Sequence, residues 1–162
     1  MRGILKRKES KDNCVVGDIV EISEDNYIIN VEERKNLVER PLVANIDYLV
    51  IQFAGKDPDI DYERLNILLL RSFYYKIKPV IIINKIDLLS AEELEEVKKN
   101  LEFLNKLDIK YFLISQKENI GIEELKVFLK DKITAFGGPS GVGKSSIINH
   151  FTKCKKIRNW RN

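Results

Sequence analysis

Gly138-Pro139-Ser140-Gly141-Val142-Gly143-Lys144-Ser145 fits the spacing G-x-x-x-x-G-K-[ST], and Ser146 follows directly. The chemistry such a run supports is the grip of a nucleoside triphosphate. Its glycines let the backbone curl so that successive N–H groups point at phosphate oxygens, and a helix opening at Lys144 turns its positive end to the same charge. Lys144 is suited to reach the β- and γ-phosphates, and the Ser145 hydroxyl to complete a Mg²⁺ shell. The loop leaves the base unnamed.

Asn84-Lys85-Ile86-Asp87 carries polar groups of the right kind to name it. Guanine presents an N1–H and a 2-amino group on one edge, and one carboxylate, Asp87, can accept from both; adenine offers no such pair. Asn84 can bond the other edge and brace the phosphate loop, while the stem of Lys85 can lie along the ring face. A site built on such bonds rejects an analogue lacking the donors by ~10⁴-fold, because its buried polar atoms are left unpaired. Taken alone, the four residues are equally a helix cap after a strand. Ser115-Gln116-Lys117 adds a third turn, from which a backbone N–H can meet guanine O6 while the Ser115 hydroxyl steadies the loop.

Each of these turns needs a strand behind it. Tyr48 to Phe53, Pro79 to Ile83, Lys110 to Ile114 and Ile133 to Phe136 are short, nearly continuous apolar runs, as expected of parallel strands buried on both faces. All three polar turns then sit at strand carboxyl ends, where open α/β sheets bind ligands. Helical periods lie between. Ser90 and Glu93 form a capping box ahead of Leu94, Val97, Leu101 and Leu104; Leu65, Leu68, Leu69 and Phe73 recur likewise, as do Ile122, Leu125, Phe128 and Leu129. Ahead of them, Val15 to Ile22 and Tyr27 to Val31 read as a β-hairpin around Ser23 to Asn26, part of a small β-module. The charged stretch from Glu32 to Arg40, closed by Pro41, reads as a linker. We therefore expect two domains, residues 1–35 and 36–162.

The 162 residues are 44% hydrophobic and 33% charged with a net charge of +3, which excludes a wholly disordered chain. No apolar run approaches the ~18 residues of a membrane span, and the start lacks the layout of a secretory signal. A cytoplasmic protein without membrane contact is expected. Cys14 and Cys154 read as unpaired thiols, and no structural zinc is expected. Arg2, Lys6, Arg7, Lys8 and Lys11 crowd one end, and Lys153, Lys155, Lys156, Arg158 and Arg161 the other. Such clusters suit a polyanion; solvated chain ends are the plainer reading.

The order of the motifs is unusual: N-K-x-D and the Ser115 turn both precede the phosphate loop. This resembles a circularly permuted GTPase, and with a β-module in front it is similar to the small ribosomal subunit biogenesis GTPase RsgA family. The residues that carry the likeness are RGILKRK and VVGDIVEI, then Arg40-Pro41, Ala44-Asn45 and Asp47, then NKIDL and GPSGVGKSSIIN. The resemblance implies an α/β P-loop G domain of permuted order, preceded by part of an oligonucleotide-binding barrel. It further implies GTP or GDP with Mg²⁺ as ligands, GTP hydrolysis, and the small ribosomal subunit and its rRNA, not DNA, as partners in late maturation of that subunit. Arg2, Lys6, Arg7, Lys8 and Lys11 become the candidate rRNA contacts.

The likeness fades at both ends. Switch I, the D-x-x-G turn and the family's zinc-binding domain would come after the phosphate loop, so an incomplete copy with impaired hydrolysis is expected, its zinc site outside this chain and no catalytic residue assigned. With the D-x-x-G strand missing, the strand ITAF would become an exposed edge, an association hazard.

Two other classes compete with this reading. One is an RNA-binding module whose nucleotide site is vestigial; the other is an ATP-using enzyme, which would leave Asn84 and Asp87 without purpose. His150 reads as surface or helix packing, Trp160 as part of an unstructured end, and Glu92, Glu93, Glu95 and Glu96 as a solvated helix start.

Overall fold

The computed structural model describes residues 4–5, 14–39 and 41–152. Strand β1 (Ile4–Leu5) runs parallel to β3 (Tyr27–Val31), and β2 (Val20–Ile22) pairs antiparallel with β3. The hairpin turn forms as its residue types dictate: the Asn26 N–H donates to Ser23 O, the Tyr27 N–H to Ser23 Oγ, and Asn26 takes a left-handed φ of 62°.

The first strand of that hairpin is shorter than the run Val15 to Ile22 promised. Asp18 Oδ2 accepts the Val15 N–H at 2.7 Å, Asp18 N–H donates back to Val15 O, and Gly17 has φ +93°, so a tight turn replaces the strand's beginning. The Arg34 guanidinium holds this turn through Nε on Asp18 Oδ1 at 2.7 Å and Nη2 on Oδ2 at 3.0 Å.

The stretch expected as a linker holds a strand. Strands β4 (Leu37–Glu39) and β5 (Leu42–Ala44) pair antiparallel, with Pro41 in the turn between them. Val38 is the reason: its side chain is buried in the main core although charged residues surround it in sequence.

The larger body is a parallel sheet of β6 (Tyr48–Ala54), β7 (Lys78–Asn84), β8 (Tyr111–Leu113) and β9 (Thr134–Gly137) in the order β8-β7-β6-β9. Helices α1 (Tyr62–Tyr74), α2 (Ala91–Lys106), α3 (Ile122–Leu129) and α4 (Lys144–Thr152) form the crossovers and the chain beyond β9. Strand alternation assigns the two faces. Leu49, Ile51, Phe53, Ile81 and Ile83 meet α1 and α2 through Leu65, Leu69, Val97, Leu101 and Leu104. Val50, Val80 and Ile82 meet Ile122, Leu125 and Ile147 of α3 and α4 on the other face. Most of these side chains are wholly buried, and each contributes roughly 1.5–3 kcal/mol.

Helix α2 has the expected capping box at Ser90 and Glu93, and Glu93 also pairs with Lys56 at 2.9 Å. Phe73, read as part of the apolar face of α1, lies on its last turn and is largely exposed. From β6 the sheet grows one way through β7 and β8, and β9 then joins the opposite side of β6. The strand order therefore reverses beside β6, and a ligand crevice is expected at the carboxyl ends there. Among the described residues β9 has no second neighbour, so it forms a sheet edge.

Candidate functional site

All three polar turns open on that carboxyl end. Asn84 is the last residue of β7, and Lys85 takes a left-handed φ of 60°, which swings Ile86–Leu88 into a short 3-10 turn. The Ile86 N–H donates to Ile114 O at 3.2 Å, and the Ile114 N–H to Ile83 O at 2.8 Å, so the Asn84 and Ser115 turns are tied side by side.

Ser115 is fully buried. Its hydroxyl donates to Asp87 Oδ1 at 2.5 Å, and its Oγ accepts from the Glu118 N–H at 3.0 Å. Lys117 Nζ stands 3.9 Å from Asp87 Oδ2. The carboxylate is thus fixed by a hydrogen bond through one oxygen, while the other has the longer ion pair to Lys117. The Ser115 N–H is engaged by Ile120 O. The Lys85 ammonium donates to the carbonyl of Asp57, in the β6–α1 loop.

The phosphate loop leaves β9 at Gly138, whose φ is +132°. A Cβ there would lie 2.0 Å from Gln52 O, so only glycine passes. Gly141 and Gly143 also have positive φ, and a Cβ on Gly143 would meet Asn84 Nδ2 at 2.5 Å, Gln116 Oε1 at 3.5 Å and Gln52 Nε2 at 3.6 Å. Lys144 opens α4, and its ammonium donates back to Gly138 O at 3.1 Å and to Pro139 O. Burial, and then the positive charge of Arg64, lower the Lys144 pKa from its ordinary value. Ser140, Ser145 and Ser146 are exposed at the rim, while Val142 is buried beneath it.

The loop and the base-side turn are joined by hydrogen bonds. Asn84 Nδ2 donates to Val142 O at 3.0 Å, and Gln52 Nε2 donates to the same oxygen at 2.7 Å. Gln52 was not among the residues singled out above. A single Gln inside YLVIQFA has no spacing to mark it; the signal was its polarity in an otherwise apolar strand run. Its Oε1 and Asn84 Oδ1 are buried and meet no donor among the described residues, at a cost of about 1–3 kcal/mol each.

The structure thus brings together Asn84, Lys85, Ile86, Asp87, Ser115, Gln116, Lys117 and the run Gly138 to Ser146. Arg2, Lys6, Arg7, Lys8 and Lys11 lie outside the described residues, as do Lys153, Cys154, Lys155, Lys156, Arg158, Trp160 and Arg161. Cys14 is a free thiol whose pKa is raised, first by burial and then by Asp18. His150 is exposed and its ring stands 6.0 Å from that of Phe151. Among the described residues no group of three or more His, Cys, Asp or Glu could hold a metal ion. No described helix is long and apolar enough to cross a membrane.

Comparison with known proteins agrees with this geometry. The sequence profile described as RsgA GTPase matches residues 25–160. A small ribosomal subunit biogenesis GTPase RsgA of Fusobacterium nucleatum is 63% identical over 97% of this chain and 55% of its own length. One of Caldanaerobacter subterraneus is 42% identical over 91% of this chain and 52% of its own. The crystal structure of YjeQ from Thermotoga maritima superposes with a TM-score of 0.81 at 35% identity, over 90% of this chain and 54% of that one. That of YloQ, a circularly permuted GTPase, gives 0.77 at 28%, over 90% and 53%. The chain spans about half the length of these relatives. Four parallel strands with the base-side turns ahead of the phosphate loop are the permuted G-domain fold, and the chain belongs to the RsgA GTPase family.

Proposed function

We propose that this chain binds GTP and GDP, and that it serves a GTPase acting in late maturation of the small (30S) ribosomal subunit. The observation that carries the nucleotide reading is the Asp87 carboxylate, fixed by Ser115 on one oxygen and met on the other only by the exposed Lys117 ammonium at 3.9 Å, beside a loop whose Val142 carbonyl Asn84 holds. In this reading Asp87 Oδ2 accepts from guanine N1–H and the 2-amino group. Guanine O6 takes a backbone N–H of Gln116 or Lys117, since that of Ser115 is engaged. The Lys85 stem covers the ring, and Gly138 to Ser146 hold the phosphates with Lys144 on the β- and γ-oxygens.

The oxygen set fits Mg²⁺, which binds through few protein oxygens, water and phosphate: the Ser145 hydroxyl stands at the opening of α4, next to Lys144. Once bound, the ion would neutralise charge developing on the β- and γ-oxygens. The chain is proposed to bind nucleotide through these groups, with GTP hydrolysis as the activity of its family.

The ribosomal role draws on the relatives, which are named small ribosomal subunit biogenesis GTPases. Arg2, Lys6, Arg7, Lys8 and Lys11 are proposed as rRNA contacts of a partial oligonucleotide-binding barrel in residues 1–35, and residues 36–162 as the G domain. Burial of Val38 and Ile46 in the α/β core supports a division there. The protein is proposed to work in the cytoplasm.

The test is a titration with fluorescent GDP in Mg²⁺ buffer, competed by unlabelled GTP and ATP. Guanine-selective binding that is lost in Asp87→Asn supports the proposal. A folded chain that binds neither guanine nucleotide overturns it.

A further inference from the structure

We propose that Gln52 is a positioning residue of the phosphate loop, which acts by turning the Val142–Gly143 peptide toward the phosphates. The inference rests on the nucleotide reading above and concerns a residue that reading does not use.

The sheet register places Gln52. It pairs with Ile82, and Ala54 pairs with Asn84, so Gln52 and Asn84 stand two residues apart on adjacent parallel strands. Both carry even numbers, as do Val50, Val80 and Ile82, and both therefore emerge on the face that meets α4. Two primary amides on neighbouring strands reach one acceptor, Val142 O, at 2.7 and 3.0 Å.

Peptide planarity converts that grip into a ligand geometry. In a trans peptide the C=O and the N–H point in opposite directions. With the Val142 carbonyl drawn down onto the two amides, the Gly143 N–H must point up, into the concavity of the loop where a phosphate would sit. A single amide leaves the peptide free to pivot about one bond; two donors from different strands fix its plane. Gly143 completes the device, because any Cβ there would fall 2.5 Å from Asn84 Nδ2 and push that amide off the carbonyl.

The identity of residue 52 supports a role beyond packing. Its side chain is fully buried, the one amide in an otherwise apolar strand run, and its Oε1 has no donor among the described residues. Leucine or methionine would fill the same space without a buried unpaired acceptor. Here the strand gives up stability, and what it gains is the bond to Val142 O.

The experiment uses the 162-residue chain and its Gln52→Met variant, with competition titrations of GDP, GMP and ADP and thermal unfolding without nucleotide. GMP lacks the β-phosphate. We expect Gln52→Met to weaken GDP about tenfold, in line with one lost hydrogen bond and a less organised loop, and GMP by less than threefold. Its preference for GDP over ADP should persist, since Asp87 is untouched. A variant that binds GDP and GMP in the wild-type ratio overturns the proposal, because a purely structural defect would weaken both alike. If Gln52→Met does not fold, Gln52→Asn keeps an amide but withdraws it by one methylene, and the same change in ratio is required of it. A wild-type chain that binds GDP and a variant that binds it equally well refute this inference alone. A wild-type chain that binds no guanine nucleotide refutes the nucleotide reading, and this inference with it.

Discussion

The Ser115 hydroxyl donates to Asp87 Oδ1 at 2.5 Å, and this bond joins the side chains of two turns that are 28 residues apart in sequence. Ser115 is fully buried and its oxygen also accepts from the Glu118 N–H, so its orientation is fixed from both sides. The Asp87 carboxylate is therefore held in place by groups of the chain itself. Removal of the hydroxyl in Ser115→Ala should weaken GDP about tenfold, the value of one hydrogen bond to a charged group. Asp87→Asn should weaken it by at least about a hundredfold, because it removes an acceptor from both donors on guanine. Titration of the two variants with fluorescent GDP checks the order, and equal losses would contradict a supporting role for Ser115.

Gly143→Ala addresses the junction of the three turns. Its φ is +94° and a Cβ would approach Asn84 Nδ2 to 2.5 Å. Strain in the left-handed region and displacement of the amide should together destabilise the chain by about 2 kcal/mol, a fall in melting temperature of several degrees. GDP binding should be lost even at temperatures where the variant is folded. Calorimetry and GDP titration of the same sample separate the two effects.

Lys144 links the site to pH. Its ordinary value is 10.5, and it is lowered first by burial and then by the charge of Arg64. The folded state thus disfavours the ammonium, and stability should rise as pH passes from the lowered value toward 10.5. A bound diphosphate supplies the missing anion and restores the charge. GDP binding in alkaline buffer should accordingly take up protons, and GDP affinity should fall as pH rises through the lowered value. Calorimetric titrations in buffers of different ionisation enthalpy measure the uptake, which Lys144→Met should abolish.

Asp18 and Arg34 set the acid limit of the β-module. The Arg34 hydrogen bond holds the Asp18 carboxyl below its usual 3.8, against the opposing effect of burial. That stabilisation is fully present above the unfolded value of 3.8 and is lost as pH falls through the lowered folded value. Arg34→Met leaves the Asp18 side chain buried without its cation, and should cost about 3 kcal/mol near neutral pH. The acid-unfolding midpoint, followed by circular dichroism, should move to higher pH.

Much of the candidate site was legible because its motifs are local. G-x-x-x-x-G-K-S, N-K-x-D and Ser115 are each read from residues close in sequence, and the apolar runs before them fit the buried parallel strands that the sheet shows. The capping box at Ser90 and Glu93 formed for the same reason: both partners lie within one turn. Val38 was less legible. It sits among Glu32, Glu33, Arg34, Lys35 and Glu39, and local composition spoke for a linker until the core claimed it. The run Val15 to Ile22 had strand propensity throughout, yet Arg34 reached back 16 residues to hold Asp18 in a turn.

The amino-acid sequence by itself determined which motifs this chain carries and in what order they occur, because motif spacing and strand pattern are properties of neighbouring residues. Only the tertiary structure decided how the parts bear on one another. Gln52 and Val142 are 90 residues apart, and nothing in the spacing of either marks the other. They meet because β9 joins β6 on the side away from β7, which brings the phosphate loop over the carboxyl ends of both strands. There a parallel register puts Gln52 and Asn84 on one face, two amides under a single carbonyl. Register and strand order are set by burial of the whole sheet, so this contact belongs to the fold and not to any segment of it.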